Sequence, residues 1–312
     1  MPGSIMETTD NVRGRVTAAV NSTLDRDTRE IVAGILFALP YLALWTVFLL
    51  YPLLKGLYMS LFNWNYLFPS ESEFIGLGNY ARLLQDDAFW NALSNTTEFV
   101  VLTVPLILLF SMIIALGLNK QLKGSRLLRF VYFSPYVLTV SVVGIIWMQM
   151  FSQTGALSHY LGGWLLEGSP LNSKLLAMPS LVIATVWWQT GFYFAILLAA
   201  RQSVPERLYE AAKLDGAGPF QMFKDITLPH MRNAILFVLV ASTVFQFQVF
   251  GQPFVMTDGG PVGSTETLVL YLYRLGFETR QLGFGAAVGY TLLVILIGVS
   301  VLNYYVVGGN DE

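Results

Sequence analysis

Six apolar stretches, none containing Asp, Glu, Lys or Arg, limit what this 312-residue chain can fold into. They are Ile31–Tyr51, Phe99–Asn119, Phe130–Phe151, Leu176–Ala200, Asn233–Met256 and Phe284–Val307. A helix needs about 20 apolar residues to cross a hydrocarbon core about 30 Å thick. Inside lipid every backbone N–H and C=O must be satisfied within the segment, so such stretches fold as helices. The expected fold class is an all-α polytopic membrane protein with six transmembrane helices. Only 12% of residues are charged, against about 25% in a soluble domain. Pro40, Pro105 and Pro135 fall inside the first three stretches and predict kinks packed against protein.

The segments between the stretches set the orientation. Four Lys and Arg precede the first stretch, four lie between the second and third, and five lie between the fourth and fifth. Thirteen of the eighteen cations thus fall on one side. Positive charge marks the cytoplasmic side, so both termini and the segment 203–229 are expected there. The predicted organisation is a cytoplasmic tail over 1–30, with a short surface helix at its end, a membrane domain over 31–307 and a tail over 308–312. In the outer loops Trp64, Tyr66, Phe68, Trp90 and Trp164 are candidate interface anchors.

The segment 203–229 is a polar island in an apolar chain. Ser203 and Glu206 form a capping-box pattern that predicts a helix start, with Pro205 in the first turn. Leu208, Ala211, Ala212 and Asp215 recur at helical spacing and share a nearly flat face. Glu210 and Lys213 are placed to pair. Gly216 is suited to a left-handed helix end. Gly218-Pro219 opens a second helix before Phe220, and Pro229 is expected to close the unit.

Read together, Glu210-Ala211-Ala212, Asp215-Gly216-Ala217 and Ile226-Thr227-Leu228-Pro229 resemble the cytoplasmic signature of permease subunits of binding-protein-dependent ABC importers. Two outer runs are similar to the F-type sugar permeases of the maltose system. One is Phe74-Ile75-Gly76-Leu77-Gly78-Asn79-Tyr80, the other Thr257-Asp258-Gly259-Gly260-Pro261 with Thr265 and the tyrosines at 271 and 273. The resemblance implies a type I ABC importer permease fold in a bacterial or archaeal cytoplasmic membrane. It implies that Leu208, Glu210, Ala211, Ala212, Asp215, Gly216, Ala217 and Phe220 dock into an ATPase, and that residues 257–261 face a binding protein. The implied partners are a second permease of G type, an ATPase dimer carrying ATP and Mg, an extracytoplasmic sugar-binding protein and membrane lipid. The family commonly has a second proline where this chain has Asn233, so the fifth stretch is expected to start more regularly here.

The fifth stretch carries three amides, Gln246, Gln248 and Gln252, which are costly against lipid and should face protein or water. Ser242, Phe245, Gln246 and Val249 share a face by helical spacing. Amides beside aromatic rings suit a sugar, but a glutamine also serves as glue between helices, and the residues alone leave both open. The resemblance favours the pathway for this face, together with Gln189, Phe192 and Tyr193 in the fourth stretch, near Trp188 and Gly191.

Some chemistry is excluded. No glycine precedes a lysine as in a phosphate-binding loop, so the chain is not its own ATPase and itself needs no cofactor. Cysteine is absent, and His159 and His230 stand in no metal-ligand spacing. Net charge is -2 without a basic run, which gives nucleic-acid binding no support. Three readings compete: a neutral-sugar permease, most naturally for a di- or oligosaccharide; the same permease for a glycerol-phosphate cargo; and a membrane-embedded enzyme. The apolar stretches hold no cation for a dianion and no nucleophile motif, which favours the first.

Overall fold

The computed structural model describes residues 26–119, 124–161, 168–303 and 305. Trp164, Lys120, Lys123 and most of both tails lie outside the described residues. Most described residues are helical, and the chain divides into two compact units, residues 1–58 and 59–312.

The described part of the first unit, from residue 26 on, is one apolar helical run. Helix α1 (Arg26–Trp45) runs through Pro40 and a π turn at Thr46–Leu50 into α2 (Tyr51–Ser60), which continues two residues into the second unit. No separate surface helix precedes the crossing among the described residues, because Arg26–Glu30 form the first turns of α1. Glu30–Ser60 is long and apolar enough to cross a membrane.

In the second unit, a small hairpin of β1 (Phe62–Asn63) and β2 (Glu73–Phe74) precedes α3 (Gly78–Leu83). Asn79 fixes this start. Its buried amide donates to Ser60 O and Phe62 O at 2.8 and 2.9 Å. Helix α4 (Asp87–Asn119) is 33 residues long. At 1.5 Å per residue it measures about 50 Å, well beyond the apolar thickness. Its extra turns, 87–98, hold Asn91, Asn95 and Thr96 beyond the apolar part, where they support the loop around Gly263.

Helix α4 packs along α8 (Ala177–Ser203), with α11 (Leu228–Phe247) beside both. Phe99, Ile107, Leu181, Phe194, Leu197 and Met231 form the centre of this core. A second cluster joins Leu83, Phe89 and Val104 to α12 (Leu268–Tyr273) and α13 (Leu282–Asn303) through Leu268, Phe284 and Val288. Lipid removes the usual hydrophobic drive between helices, so close packing and interhelical hydrogen bonds must hold them. Ser111 Oγ on α4 donates to Thr190 O on α8 at 3.3 Å. Gly191 lets α8 lie directly on the backbone at Tyr132, where a Cβ would strike the Tyr132 carbonyl.

The third apolar stretch is not a straight crossing. It forms α5 (Ser125–Val137) and α6 (Val140–Met150), which meet at 100°. Pro135 removes one helical donor, and Leu138 and Thr139 turn extended with ψ of 145° and 150°. The Leu138 carbonyl freed at the elbow accepts from Trp188 Nε1 on α8 at 3.1 Å. Pro105, by contrast, is absorbed inside α4 without ending it.

The fifth stretch also departs from expectation. The helix does not begin at Asn233. It runs unbroken from Pro219 to Phe247, through α10 (Pro219–Met222), a π turn at Phe223–Thr227 and α11. Pro229 therefore opens α11 in its first turn, where a missing N–H costs little, and does not close the preceding unit. Asn233 passes through regular helix. The helix then ends at Gln248, and the chain turns helical again at Gly251, leading into a π turn at Pro253–Thr257. This turn lies against α6, where Gly144 faces Val255.

Candidate functional site

The segment between α8 and α11 folds as a compact two-helix loop. Its first helix is α9 (Glu206–Leu214). The capping box does not form. Pro205 is the N-cap residue, no side chain caps it, and Ser203 Oγ donates back to Ala200 O at 2.8 Å. A hydroxyl in the last turn of α8 can satisfy its own helix, and that bond wins. Glu210 and Lys213 form no ion pair among the described residues; both are exposed.

The other end of α9 is as the glycine foretold. Gly216 has φ of +80°. Ala217 N donates to Ala212 O at 2.8 Å and Gly216 N to Lys213 O at 3.1 Å, the paired bonds of a Schellman end. Gly218 then caps α10 with Pro219 at its first position.

The loop is anchored by a residue the sequence pattern did not single out. Tyr209 is buried, and its hydroxyl shares a 2.9 Å hydrogen bond with Thr227 Oγ1. The Arg201 guanidinium, at the end of α8, lies 4.2 Å over the Tyr209 ring. One side chain thereby ties α9 to both α8 and the entry of α11. Its partner stands eighteen residues away, beyond the reach of helical periodicity. Outward, Glu210, Ala211, Asp215 and Gly216 are exposed, with Leu208, Ala212 and Ala217 half-buried. Leu214 and Phe220 are 89% and 78% exposed, a pair of large apolar groups on an otherwise polar loop.

Deeper in the bundle, Gln246 on α11 is only 1% exposed and donates to Gln189 Oε1 on α8 at 2.6 Å. Beside them Phe192 stacks on Tyr136 with ring centroids 4.9 Å apart, and Trp188 lies 6.2 Å from the same ring. Tyr193 is buried and edge-on to Phe192. Ser242 is buried, its hydroxyl spent on Val238 O at 2.6 Å.

The expected four-residue face is not kept. Phe245 is 61% exposed. Val249 lies past the end of α11, where its carbonyl accepts from buried Thr267 Oγ1 at 2.9 Å. Helical spacing cannot carry through the break after Phe247.

The loop after the break is tightly built. Thr257 and Thr265 share a 2.7 Å hydrogen bond, and Thr265 Oγ1 donates to Gly260 O at 2.7 Å. Asp258 adopts φ of 47°, and the Gly260–Pro261 bond is cis. Arg274 binds Asp258 O at 2.7 Å, Asp258 Oδ1 at 3.2 Å and Glu266 Oε1 at 2.8 Å. The Asn95 amide reaches Gly263 O at 2.7 Å from the extended top of α4. Tyr271 OH donates to Asp86 Oδ2 at 2.8 Å. Burial, and the acceptor Asp86, push this phenol above its ordinary range, so it stays a donor. A shallow cavity of about 300 Å³ opens beside Thr257, Asp258, Gly260 and Pro261. The roles of Arg274 and Asn95 were not legible, since each acts across the fold on a backbone carbonyl or a distant acid. No cluster of His, Asp and Glu able to hold a metal occurs among the described residues.

This arrangement has close relatives. The lactose transport system permease protein LacF of Rhizobium radiobacter is 35% identical over 281 residues, covering 88% of this chain and 93% of that protein. The sn-glycerol-3-phosphate transport system permease protein UgpA of Yersinia pestis is 34% identical over 271 residues, 86% and 92% of the two chains. The trehalose/maltose transport system permease protein MalF of Thermococcus litoralis is 32% identical over 280 residues, 88% and 93%. A chain of a bacterial ABC transporter involved in the import of the acidic polysaccharide alginate shares the fold, with a TM-score of 0.79 at 23% identity over 92% of this chain and 100% of that one. Residues 75–307, most of the folded unit, match the family described as binding-protein-dependent transport system inner membrane component, and the chain belongs to that family.

Proposed function

We propose that this chain is a permease subunit of an ATP-driven importer for a neutral di- or oligosaccharide. It would form half of a pathway with a second, G-type permease, be driven by an ATPase dimer and receive cargo from an extracytoplasmic sugar-binding protein. The observation that carries the cargo class is the Gln189–Gln246 pair beside Tyr136, Trp188 and Phe192, where amides and ring faces adjoin as sugar hydroxyls and C–H faces require. Relatives named for lactose and for trehalose and maltose support this reading. The relative named for glycerol 3-phosphate keeps a second cargo in view. The six apolar stretches hold no Lys or Arg to receive a dianion, which favours the neutral sugar.

On this proposal α9 and α10 are the coupling element, and their exposed Leu214 and Phe220 are covered by the ATPase. Residues 257–261 and the cavity beside them face the binding protein. ATP-dependent uptake into proteoliposomes of the assembled transporter, with its binding protein added outside, tests the function. Neutral oligosaccharides are expected to be taken up and glycerol 3-phosphate is not. The reverse pattern overturns the cargo, and uptake without ATP or binding protein overturns the importer.

The orientation is tested separately. A reporter fused after Glu312 is expected to read as cytoplasmic, and one inserted near Ser72 as external. An opposite result at either site reverses the topology.

A further inference from the structure

Two cavities meet at one arginine. The first, about 1170 Å³, lies where α4 and α8 end and α5 begins. Among the described residues its polar lining includes Asn119, Arg129, Arg201, Gln202 and Lys213, with Glu206 as the one acid. The second, about 420 Å³, is an open groove between α5 and α8 walled by Phe130, Phe133, Phe194 and Leu198. Arg129 and Gln202 line both. Arg129 is held in place through Nη2, which donates to Leu118 O at 3.3 Å in the last turn of α4. Its Nε is buried and has no hydrogen-bond partner among the described residues, and a guanidinium donor out of water without an acceptor is costly.

We propose that this composite site holds an anionic phospholipid, its phosphate at Arg129 and Gln202 and an acyl chain in the groove of Phe130, Phe133, Phe194 and Leu198. The charge argument fixes the headgroup. Among the described residues three cations against one acid surround the polar side; a guanidinium pairs well with a phosphate, and a zwitterion's outer ammonium would be repelled by the remaining cations. The apolar side fixes the lipid. A free anion leaves the aromatic groove uncovered, whereas an acyl chain fills it. The position fits as well, because Arg129 stands at the start of one apolar stretch and Arg201 follows the end of another, at headgroup depth. The site adjoins Tyr209, so a bound lipid would brace the contact of α9 with α8. The inference needs the chain to be in a membrane and is independent of which cargo it carries.

The test uses the whole transporter, purified from membranes containing phosphatidylglycerol and exchanged into detergent, with native mass spectrometry counting retained lipid. The wild type is expected to keep one phosphatidylglycerol per transporter through exchange. Arg129→Gln should lower retention about tenfold, the worth of one charge-assisted hydrogen bond. Arg129→Lys should retain an intermediate amount. Ala195 also lines the groove, so Ala195→Trp, which fills it without changing charge, should also lower retention. Arg126→Gln, on the exposed face of the same helix, should not. Equal retention in the wild type and Arg129→Gln overturns the site. So does equal retention of phosphatidylcholine, or displacement by inorganic phosphate, which would make the ligand a free anion. A photo-crosslinker at position 195 that captures the second permease in place of lipid also overturns it.

Discussion

Gly216→Val, or Ala212→Trp, is expected to leave the chain inserted in the membrane and to cut uptake and cargo-stimulated ATP hydrolysis together by about tenfold or more. The two changes act on the same Schellman end by different routes. Gly216 has φ of +80°, where an L-residue costs about 1–2 kcal/mol and a β-branched one more. A Cβ there would meet nothing within 4 Å, so the penalty is backbone strain and not a clash. The strain is relieved by unwinding the end of α9, which releases the bonds to Ala212 O and Lys213 O. At 1.4 kcal/mol per factor of ten, that suffices to shift most loops out of the docking shape. Ala212→Trp instead keeps the backbone and adds bulk at a half-buried position beside the exposed surface.

Neither change touches the bundle core, so expression and thermal stability of the inserted chain should stay near wild type. Retention of the ATPase on purification and its stimulation by loaded binding protein are the measurements. Wild-type values for both, in either folded variant, would reduce the loop to a plain surface turn.

The membrane architecture was legible because lipid enforces one rule everywhere: apolar runs of sufficient length must be helical. The rule says nothing of shape. Pro105 and Pro135 look alike in sequence, yet α4 runs through the first and the chain bends by 100° after the second. What differs is a tertiary partner. Trp188 Nε1 is placed to satisfy the Leu138 carbonyl that the bend frees, and α8 approaches closely enough only because residue 191 is glycine.

The end of the fifth helix was misread for a related reason. Val249 and Phe250 continue the apolar run past Gln248, but Thr267, eighteen residues on from Val249, takes its carbonyl. The Gly216 turn was readable because its cause is local. Tyr209 was not, since its partners Thr227 and Arg201 lie on other elements. The Asp258–Arg274–Glu266 cluster was hidden likewise.

Gln246→Leu is expected to impair uptake severalfold, and the double variant Gln189→Leu, Gln246→Leu decides what the pair does. The two amides share a 2.6 Å hydrogen bond at a position where Gln246 is almost wholly buried. Removing one leaves the other with an unmet polar group among apolar neighbours, a cost of about 1–3 kcal/mol. In membranes such bonds between helices average nearer 0.6 kcal/mol. If the pair is only glue, replacing both leaves no orphan, and uptake in the double variant should recover above either single one. If the half-exposed Gln189 and its partner also present hydroxyl-binding capacity to the cargo, the double variant should be the weakest of the three.

The second outcome is the one expected here, because Phe192, Tyr136 and Trp188 line the same side and glue alone does not call for them. Gln248→Leu is the control, since Gln248 is exposed at the helix end and outside the pair. Thermal melting of each purified variant separates the structural cost from the loss of transport. Recovery of both melting temperature and uptake in the double variant would assign the pair to packing and move the pathway to another face of α8.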